Sequence, residues 1–342
     1  MSEEHSRPIL NAHDPLGRDA PALAQAAAIL RAGGLVAFPT ETVYGLGANA
    51  LDAAAVRRIF AAKGRPAFNP LIAHVADVAG AQALVRDWPP LAQALAERFW
   101  PGPLTLVLPR RALVPDEVTA DRGSVAVRAP SHPVARALLA AAGVPLAAPS
   151  ANRFTELSPV TAAQVARSLG DRVDLILDGG RTTVGIESTV VDLSVSPPVL
   201  LRPGTITRAE LEVITGPLGS PSAPESEDAP RAAPGMIARH YAPRALVRLI
   251  ASDAMDAAMQ EAASREGVLT GAVTWSARPF PSGRALAAHH RLPADAASFA
   301  AELYDTLHAI DDAHCDEVLV EEPPADRAWD GVRDRLARAA HR

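Results

Sequence analysis

The sequence holds a single cysteine, Cys315, so one chain can form neither an internal disulfide nor a cysteine-built metal cluster. Aromatic residues make up only 4% of 342 positions, too few for a stacking platform of the kind that grips single-stranded nucleic acid. No uncharged apolar run approaches the roughly 18 residues of a membrane span. The opening "MSEEHSRPILNAHDP" is polar and has no apolar signal core, so a cytoplasmic protein is expected. Positive charge is not in excess either. A net charge of −6 argues against a general nucleic-acid coat and leaves room only for a local basic cleft. The phosphate-cradling loop "GxxxxGK[ST]" is also missing, so any phosphate must be held by side chains and exposed amides.

What remains is a chain with 48% hydrophobic residues, globular in composition and longer than most single cores. The first two hundred residues alternate helical and strand-like segments. Asp19 is placed to cap a helix ending at Gly33 and Gly34, and the strand "LVAF" follows. Asp52 caps "AAAVRRIFAAK", which Gly64 stops. Ser131 is expected to cap "HPVARALLAAAG", and Thr161 with Gln164 has capping-box spacing ahead of "AAQVARSLG". "PLIAHV", "VDLIL", "STVVDL" and "PVLLR" read as strands, giving a mixed α/β sheet. Residues 216–243 begin with a proline-rich stretch of small and acidic residues that cannot build a core, and they read as a linker. The chain is therefore divided into a first domain at 1–215, the linker at 216–243 and a smaller α/β domain at 244–342.

Four polar clusters interrupt the first domain at the ends of strands or helices, where open α/β sheets gather ligands. Within "FPTETVYGLGANA" stand Thr40, Thr42 and Tyr44, beside glycines expected to leave the backbone uncovered for a ligand. "KGRPAFNPLIAHV" supplies Lys63, Arg65, Asn69 and His74; "APSANRFTELSP" supplies Ser150, Asn152 and Ser158; "GIESTVVD" and "LLRPG" supply Ser188 and Arg202. Each has a plain structural explanation: cations suit a helix C-terminus, a strand histidine is commonly a hydrogen-bonded core residue, and serine and asparagine are ordinary turn residues. Their joint occurrence favours a site.

The ordered set "FPTETVYGLGANA", "KGRPAFNPL", "FWPGPLTLVL", "VAVRAPSHP", "PSAN", "ESTVVD" and "LLRPG" across residues 21–210, continued by "PGMIARHYAP", resembles the YrdC-like threonylcarbamoyl-AMP synthases in their longer two-domain form. The resemblance implies a twisted YrdC-like mixed sheet with helices, joined by the Pro-rich linker to a Rossmann-like C-terminal α/β domain. It implies synthesis of threonylcarbamoyladenylate from threonine, bicarbonate or carbon dioxide, and ATP, with release of pyrophosphate. Mg2+ would accompany ATP, held largely through phosphate oxygens and water. The product would pass to a tRNA threonylcarbamoyl transferase complex, for modification of tRNA.

Carried over motif by motif, threonine would lie among Thr40, His74, Arg128, Ala148 and Ser188. ATP would lie among Lys63, Arg65, Asn69, Ser124, Ser150, Asn152, Ser158, Arg202 and, from the linker, Tyr241. Lys63 and Arg65 are the expected catalytic cations, Arg128 the partner of the threonine carboxylate, and His74 the candidate base if one exists. The linker is expected to settle over bound nucleotide as a lid. The rival from another class is a YrdC-like RNA-binding module without catalysis, which would not need the full threonine pocket. A hydrogenase-maturation carbamoyltransferase is a second rival, but its zinc finger cannot be built with one cysteine.

Overall fold

The computed structural model describes residues 8–221, 240–279 and 286–341. Ten strands form the sheet of the first domain: β1 (Ile9–Asn11), β2 (Val36–Pro39), β3 (Tyr44–Asn49), β4 (Ile72–His74), β5 (Leu104–Pro109), β6 (Ser124–Arg128), β7 (Leu146–Ala147), β8 (Leu175–Asp178), β9 (Thr189–Asp192) and β10 (Val199–Arg202). Their order is β1-β8-β2-β3-β7-β4-β6-β5-β9-β10. Pairings of both kinds occur: β4 runs parallel to β6, whereas β2 with β3 and β4 with β7 are antiparallel. Hydrophobic clusters cover both faces. β2 is accordingly buried at every position, as a strand covered on both sides must be.

The opening stretch is a hairpin. Its glycines lie within β3, and a Cβ on Gly47 would stand 2.8 Å from the Phe38 ring across the pair. This corrects the expectation for Gly47, which admits a neighbouring ring rather than a ligand. Two capping expectations are corrected as well. Asp19 sends its carboxylate back to the amide of Asp14 at 2.9 Å and makes no side-chain cap on Ala20–Arg31. Helix Pro133–Ala142 is capped by the His132 ring, which accepts from the Val134 amide at 3.2 Å, so Ser131 lies one residue too early. Asp52 and the Thr161–Gln164 box cap as expected.

The second domain has a four-stranded sheet in the order β11-β14-β12-β13, from β11 (Leu246–Ile250), β12 (Thr270–Thr274), β13 (Ala288–Arg291) and β14 (Glu317–Glu321). Every pairing in it is parallel, and helices Met255–Ser264 and Ala296–Asp312 supply the crossovers from β11 to β12 and from β13 to β14. Residues 222–239 of the expected linker lie outside the described residues. Its two ends are anchored. Gly219 bonds alongside β10, and Ala242 donates to the Thr155 carbonyl at 3.0 Å.

The domains are packed together. Thr183 and Val184 donate backbone hydrogen bonds to the Glu41 carbonyl, and Gly185 donates to that of Thr42. A Cβ on Gly185, whose φ is +79°, would fall 2.3 Å from the Ala300 carbonyl of helix Ala296–Asp312. Val43, Leu157 and Ile186 join the apolar core of the second domain. One strap of chain therefore lies between the opening hairpin and the second domain.

Candidate active site

A cavity opens where β2, β4, β6 and β10 end and residues 148–150 continue from β7 beside β3, its lining including Thr40, Arg65, His74, Arg128, Ala148, Ser150, Arg202 and Tyr241. These eight expected residues come from six separate stretches of sequence. Thr42, Glu187 and His240 line it as well.

Thr40 turns the hairpin. Its hydroxyl donates to the Val43 carbonyl at 2.7 Å and accepts from the amides of Thr42 and Val43. Its single proton is thereby committed, so in the 2.8 Å contact between the two threonines Thr42 is the donor. Arg128, at the end of β6, donates to Thr42 Oγ1 at 3.0 Å and to the Gly102 carbonyl at 3.3 Å. Its Nη2 stands 2.8 Å from Glu41 Oε1, an ion contact in which neither atom is aligned for a hydrogen bond. Burial alone would raise the Glu41 carboxyl, but the adjacent charge of Arg128 holds it below the usual carboxylate range. The guanidinium is thus held from behind by Glu41, Thr42 and Gly102 and lines the cavity, where it is suited to a further carboxylate.

His74 is buried next to this pair, its Nδ1 3.3 Å from the Ile72 carbonyl. Burial, reinforced by the Arg128 charge, pushes its pKa down to about 3. The ring is neutral at physiological pH, and with a proton on Nδ1 it offers Nε2 as an acceptor. So weak a base is poorly matched to proton abstraction at neutral pH.

On the opposite side, Arg65 gives Nη2 to the Pro70 carbonyl at 3.2 Å, and its buried Nε has no partner among the described residues. Burial brings it down to about 10, which still leaves it cationic. Arg202 donates to the carbonyl and the hydroxyl of Ser188, at 3.0 and 3.1 Å. The Ser188 hydroxyl also meets Thr105 at 2.7 Å. Among the described residues, fully buried Asn69 has both amide atoms unpartnered, and Asn152 Oδ1 and His240 Nδ1 likewise find no partner. Orphaned buried polar atoms on this scale mark a place built for a ligand.

Other expected residues stand behind the lining. Lys63 gives Nζ to the carbonyls of Ser150 and Asn152, so it shapes the loop that carries them. Burial, then the Arg65 charge, depresses its pKa well below the lysine range. Asn152 donates to the carbonyls of Arg153 and Glu156, both at 2.8 Å. Ser158 donates to Glu187 at 2.6 Å. Ser124 begins the strand that Arg128 ends, about 13 Å away by strand rise. A ligand lying along β6 is what would reach both. Tyr44 points elsewhere and bonds the Gly180 carbonyl at 2.6 Å.

Tyr241, 1% exposed, carries a φ of +59°, a costly backbone setting for a bulky residue. His240 packs on it edge-on at 4.0 Å. Glu41 and Glu187 were not among the expected site residues. They answer the buried arginines, and "PTET" and "GIES" place them beside residues that were.

Residues 28–204 match a family model for Sua5, YciO and YrdC proteins, described as telomere recombination. Residues 206–341 match the C-terminal domain of threonylcarbamoyl-AMP synthase. A threonylcarbamoyl-AMP synthase of Bacillus subtilis is 41% identical over 334 residues, covering 96% of this chain and 95% of that one. The chain belongs to the threonylcarbamoyl-AMP synthase family. One from Pyrococcus abyssi is 51% identical over 226 residues, 66% of each chain. The structure of Pyrococcus abyssi Sua5 complexed with L-threonine superposes with a TM-score of 0.88 at 39% identity, covering 97% of both chains. The YrdC-like sheet and the second α/β domain are thus those of the two-domain members of this synthase family. Among the described residues, no helix is long and apolar enough to cross a membrane.

Proposed function

We propose that this chain is a cytoplasmic L-threonylcarbamoyladenylate synthase, a nucleotidyltransferase that consumes threonine, bicarbonate or carbon dioxide, and ATP and releases pyrophosphate. The observation that carries the reading is the convergence of Arg65, Arg128 and Arg202 on one cavity whose nearest carboxylates are already engaged, Glu41 by Arg128 and Glu187 by Arg335. Such a cavity is suited to two anions that must approach each other. Threonine's carboxylate would pair with Arg128, and polyphosphate with Arg65 and Arg202.

The amine of threonine adds to carbon dioxide and loses a proton to give a carbamate. A carbamate oxygen then bonds to the α-phosphorus while the bond to the β-phosphate bridge breaks, and pyrophosphate leaves with the negative charge. Arginine charge opposite the developing pyrophosphate lowers the barrier. Catalysis here rests on positioning and charge, since neutral His74 is a weak base. Lys63 contributes by holding the Ser150–Asn152 loop.

Among the described residues no group of three or more His, Cys, Asp or Glu is arranged to hold a metal. With Glu41 and Glu187 tied to arginines, Mg2+ fits this site as an ion carried by phosphate oxygens and water. When bound it would offset phosphate charge. His240 and Tyr241, already in the lining, are the linker groups that would touch nucleotide. The expected lid spans residues 216–243, of which 222–239 lie outside the described residues. The adenylate would pass to a tRNA-modifying transferase complex.

The decisive experiment incubates the protein with ATP, bicarbonate and single amino acids while pyrophosphate is measured. Release that requires threonine and fails with valine is expected. No release with any amino acid, with tRNA bound as tightly as ATP, would return the RNA-binding reading.

A further inference from the structure

The second domain inserts one charged side chain into the first. Arg335, on helix Asp330–Ala340, is 1% exposed. Its Nε donates to Glu187 Oε2 at 2.7 Å, its Nη2 to the Glu187 carbonyl at 3.1 Å, and its Nη1 to the Pro203 carbonyl at 2.9 Å. Glu187 immediately precedes Ser188, and Pro203 immediately follows Arg202. One guanidinium therefore ties together the two backbone segments whose next residues form the Ser188–Arg202 contact in the cavity wall. The same group lies 5.3 Å from the centroid of the Tyr241 ring.

Two further features hold this arrangement. Helix Asp330–Ala340 approaches the strand end so closely that a Cβ on Gly331 would sit 2.6 Å from the Gly204 carbonyl. The remaining capacity of the Glu187 carboxylate is taken by Ser158 at 2.6 Å and by the hydroxyl of Tyr304, also from the second domain, at 3.1 Å. Asp334 meets Arg335 Nη1 at 2.8 Å and offsets its charge from the other side.

We infer that Arg335 is a positioning residue of the synthase pocket, through which the second domain sets the Ser188–Arg202–Tyr241 wall. The guanidinium is needed as a fork and not only as a charge, because it joins two carbonyls and a carboxylate in fixed directions. Lysine can satisfy the carboxylate but not all three at once. This inference rests on the proposed synthase function for its kinetic readout.

The test uses the full chain with Arg335→Lys, Arg335→Met and, as an interface control, Arg167→Ala, which breaks the exposed interdomain pair Arg167–Asp312. Threonine-dependent pyrophosphate release is measured with each substrate varied, alongside thermal unfolding. Arg335→Lys is expected to lower kcat/KM by about 10²-fold, the scale of a misplaced wall, while Arg167→Ala keeps wild-type kinetics. Should Arg335→Met fail to fold, Tyr304→Phe removes one hydroxyl from Glu187 without touching charge, and a smaller loss in the same parameter is expected. Wild-type kinetics in Arg335→Lys, or losses in every variant that merely track melting temperature, overturn the inference. If the wild type releases no pyrophosphate with threonine, the synthase reading fails by itself. Calorimetric binding of threonine and of a non-hydrolysable ATP analogue to the same variants then decides: weakened binding supports the positioning role and unchanged binding rejects it.

Discussion

Both domains bring charged and polar side chains to the ends of strands, and they settle them in opposite ways. In the second domain, Glu321 at the end of β14 accepts from Ser252 and Ser276 hydroxyls, from the amides of Trp275 and Ser276, and from Arg278. The crevice of this parallel sheet, where such folds commonly hold a ligand, is occupied by the domain's own side chains. In the first domain, Arg65 Nε, both amide atoms of Asn69, Asn152 Oδ1 and His240 Nδ1 find no partner among the described residues. The second domain also keeps Arg265 Nε and Arg278 Nε unpartnered among the described residues, so the difference lies in placement: in the first domain two such groups, on Arg65 and His240, line one cavity, and a Rossmann-like outline alone does not mark a site.

The contrast is broken most strongly by removing a cation from the unsatisfied region. Arg65→Ala should raise the barrier with ATP by about 2–4 kcal/mol while leaving the apparent affinity for threonine nearly unchanged. Steady-state kinetics with each substrate varied in turn measures both. Equal, small effects would reduce Arg65 to a residue favoured by the helix end.

Much of this region was legible because its residues stand in short strings that bracket strand ends. The capping pattern of Asp52 and Gly64, and the β-branched runs of β8 to β10, fixed where those strings would meet. Three things were not legible. Lys63 reads as a phosphate cation, yet its neighbours in space are two carbonyls, and no spacing rule reveals that. β13, "AHHR", was missed because two adjacent histidines give neither alternation nor apolar density. Arg335 was passed over among many arginines, although buried Val332, Leu336 and Ala339 place it on the inward face of its helix. Helical periodicity was the available signal, and a charge on that face asks for a buried partner.

The next prediction concerns stability, with a sign that should differ between the regions. Asn69 is buried with an amide that meets no partner among the described residues. Asn69→Leu removes that desolvated group at similar volume, so it should raise unfolding free energy by about 1–3 kcal/mol while impairing ATP use. Denaturant titration of the full chain checks the sign, and a loss of stability would show that the amide already serves the fold.

Acid should then separate the regions by pH. Burial depresses His74 to about 3, and burial followed by the Arg65 and Lys63 charges depresses His240 well below its ordinary value. For each, the folded state resists a proton that the unfolded state accepts below the ordinary value of 6.5. Stability is therefore complete above that pH and falls as pH drops, for His74 down to about 3, by at most about 1.4 kcal/mol per pH unit for each ring. His74→Asn should flatten the slope between pH 6.5 and 5. Glu321→Gln should not alter that slope, because its carboxylate, ordinarily at 4.5, is held at about 2 by Arg278 and its serine partners despite the opposing effect of burial. An unchanged slope in His74→Asn would mean that the ring is protonated in the folded protein.

The smallest effect is expected in the Glu321 cluster, where both charged groups keep several partners although Arg278 Nε has none among the described residues. The Ser252 hydroxyl donates to Glu321 Oε1 at 2.7 Å and accepts from Arg278 Nη2 at 2.8 Å. Ser252→Ala leaves Glu321 with the Ser276 hydroxyl, the amides of Trp275 and Ser276, and Arg278. Arg278 keeps its bonds to the Ser252 carbonyl and to Asp256. Because neither charged partner is orphaned, the loss should stay at about 0.5–1.5 kcal/mol. Kinetic constants for ATP and threonine should not move, since no atom of this cluster lines the cavity. Thermal unfolding and steady-state kinetics on one preparation separate the two quantities. A change in KM for ATP without a change in melting temperature would mean that the second domain's crevice takes part in nucleotide binding, and the division between a filled site and an unsatisfied one would fail.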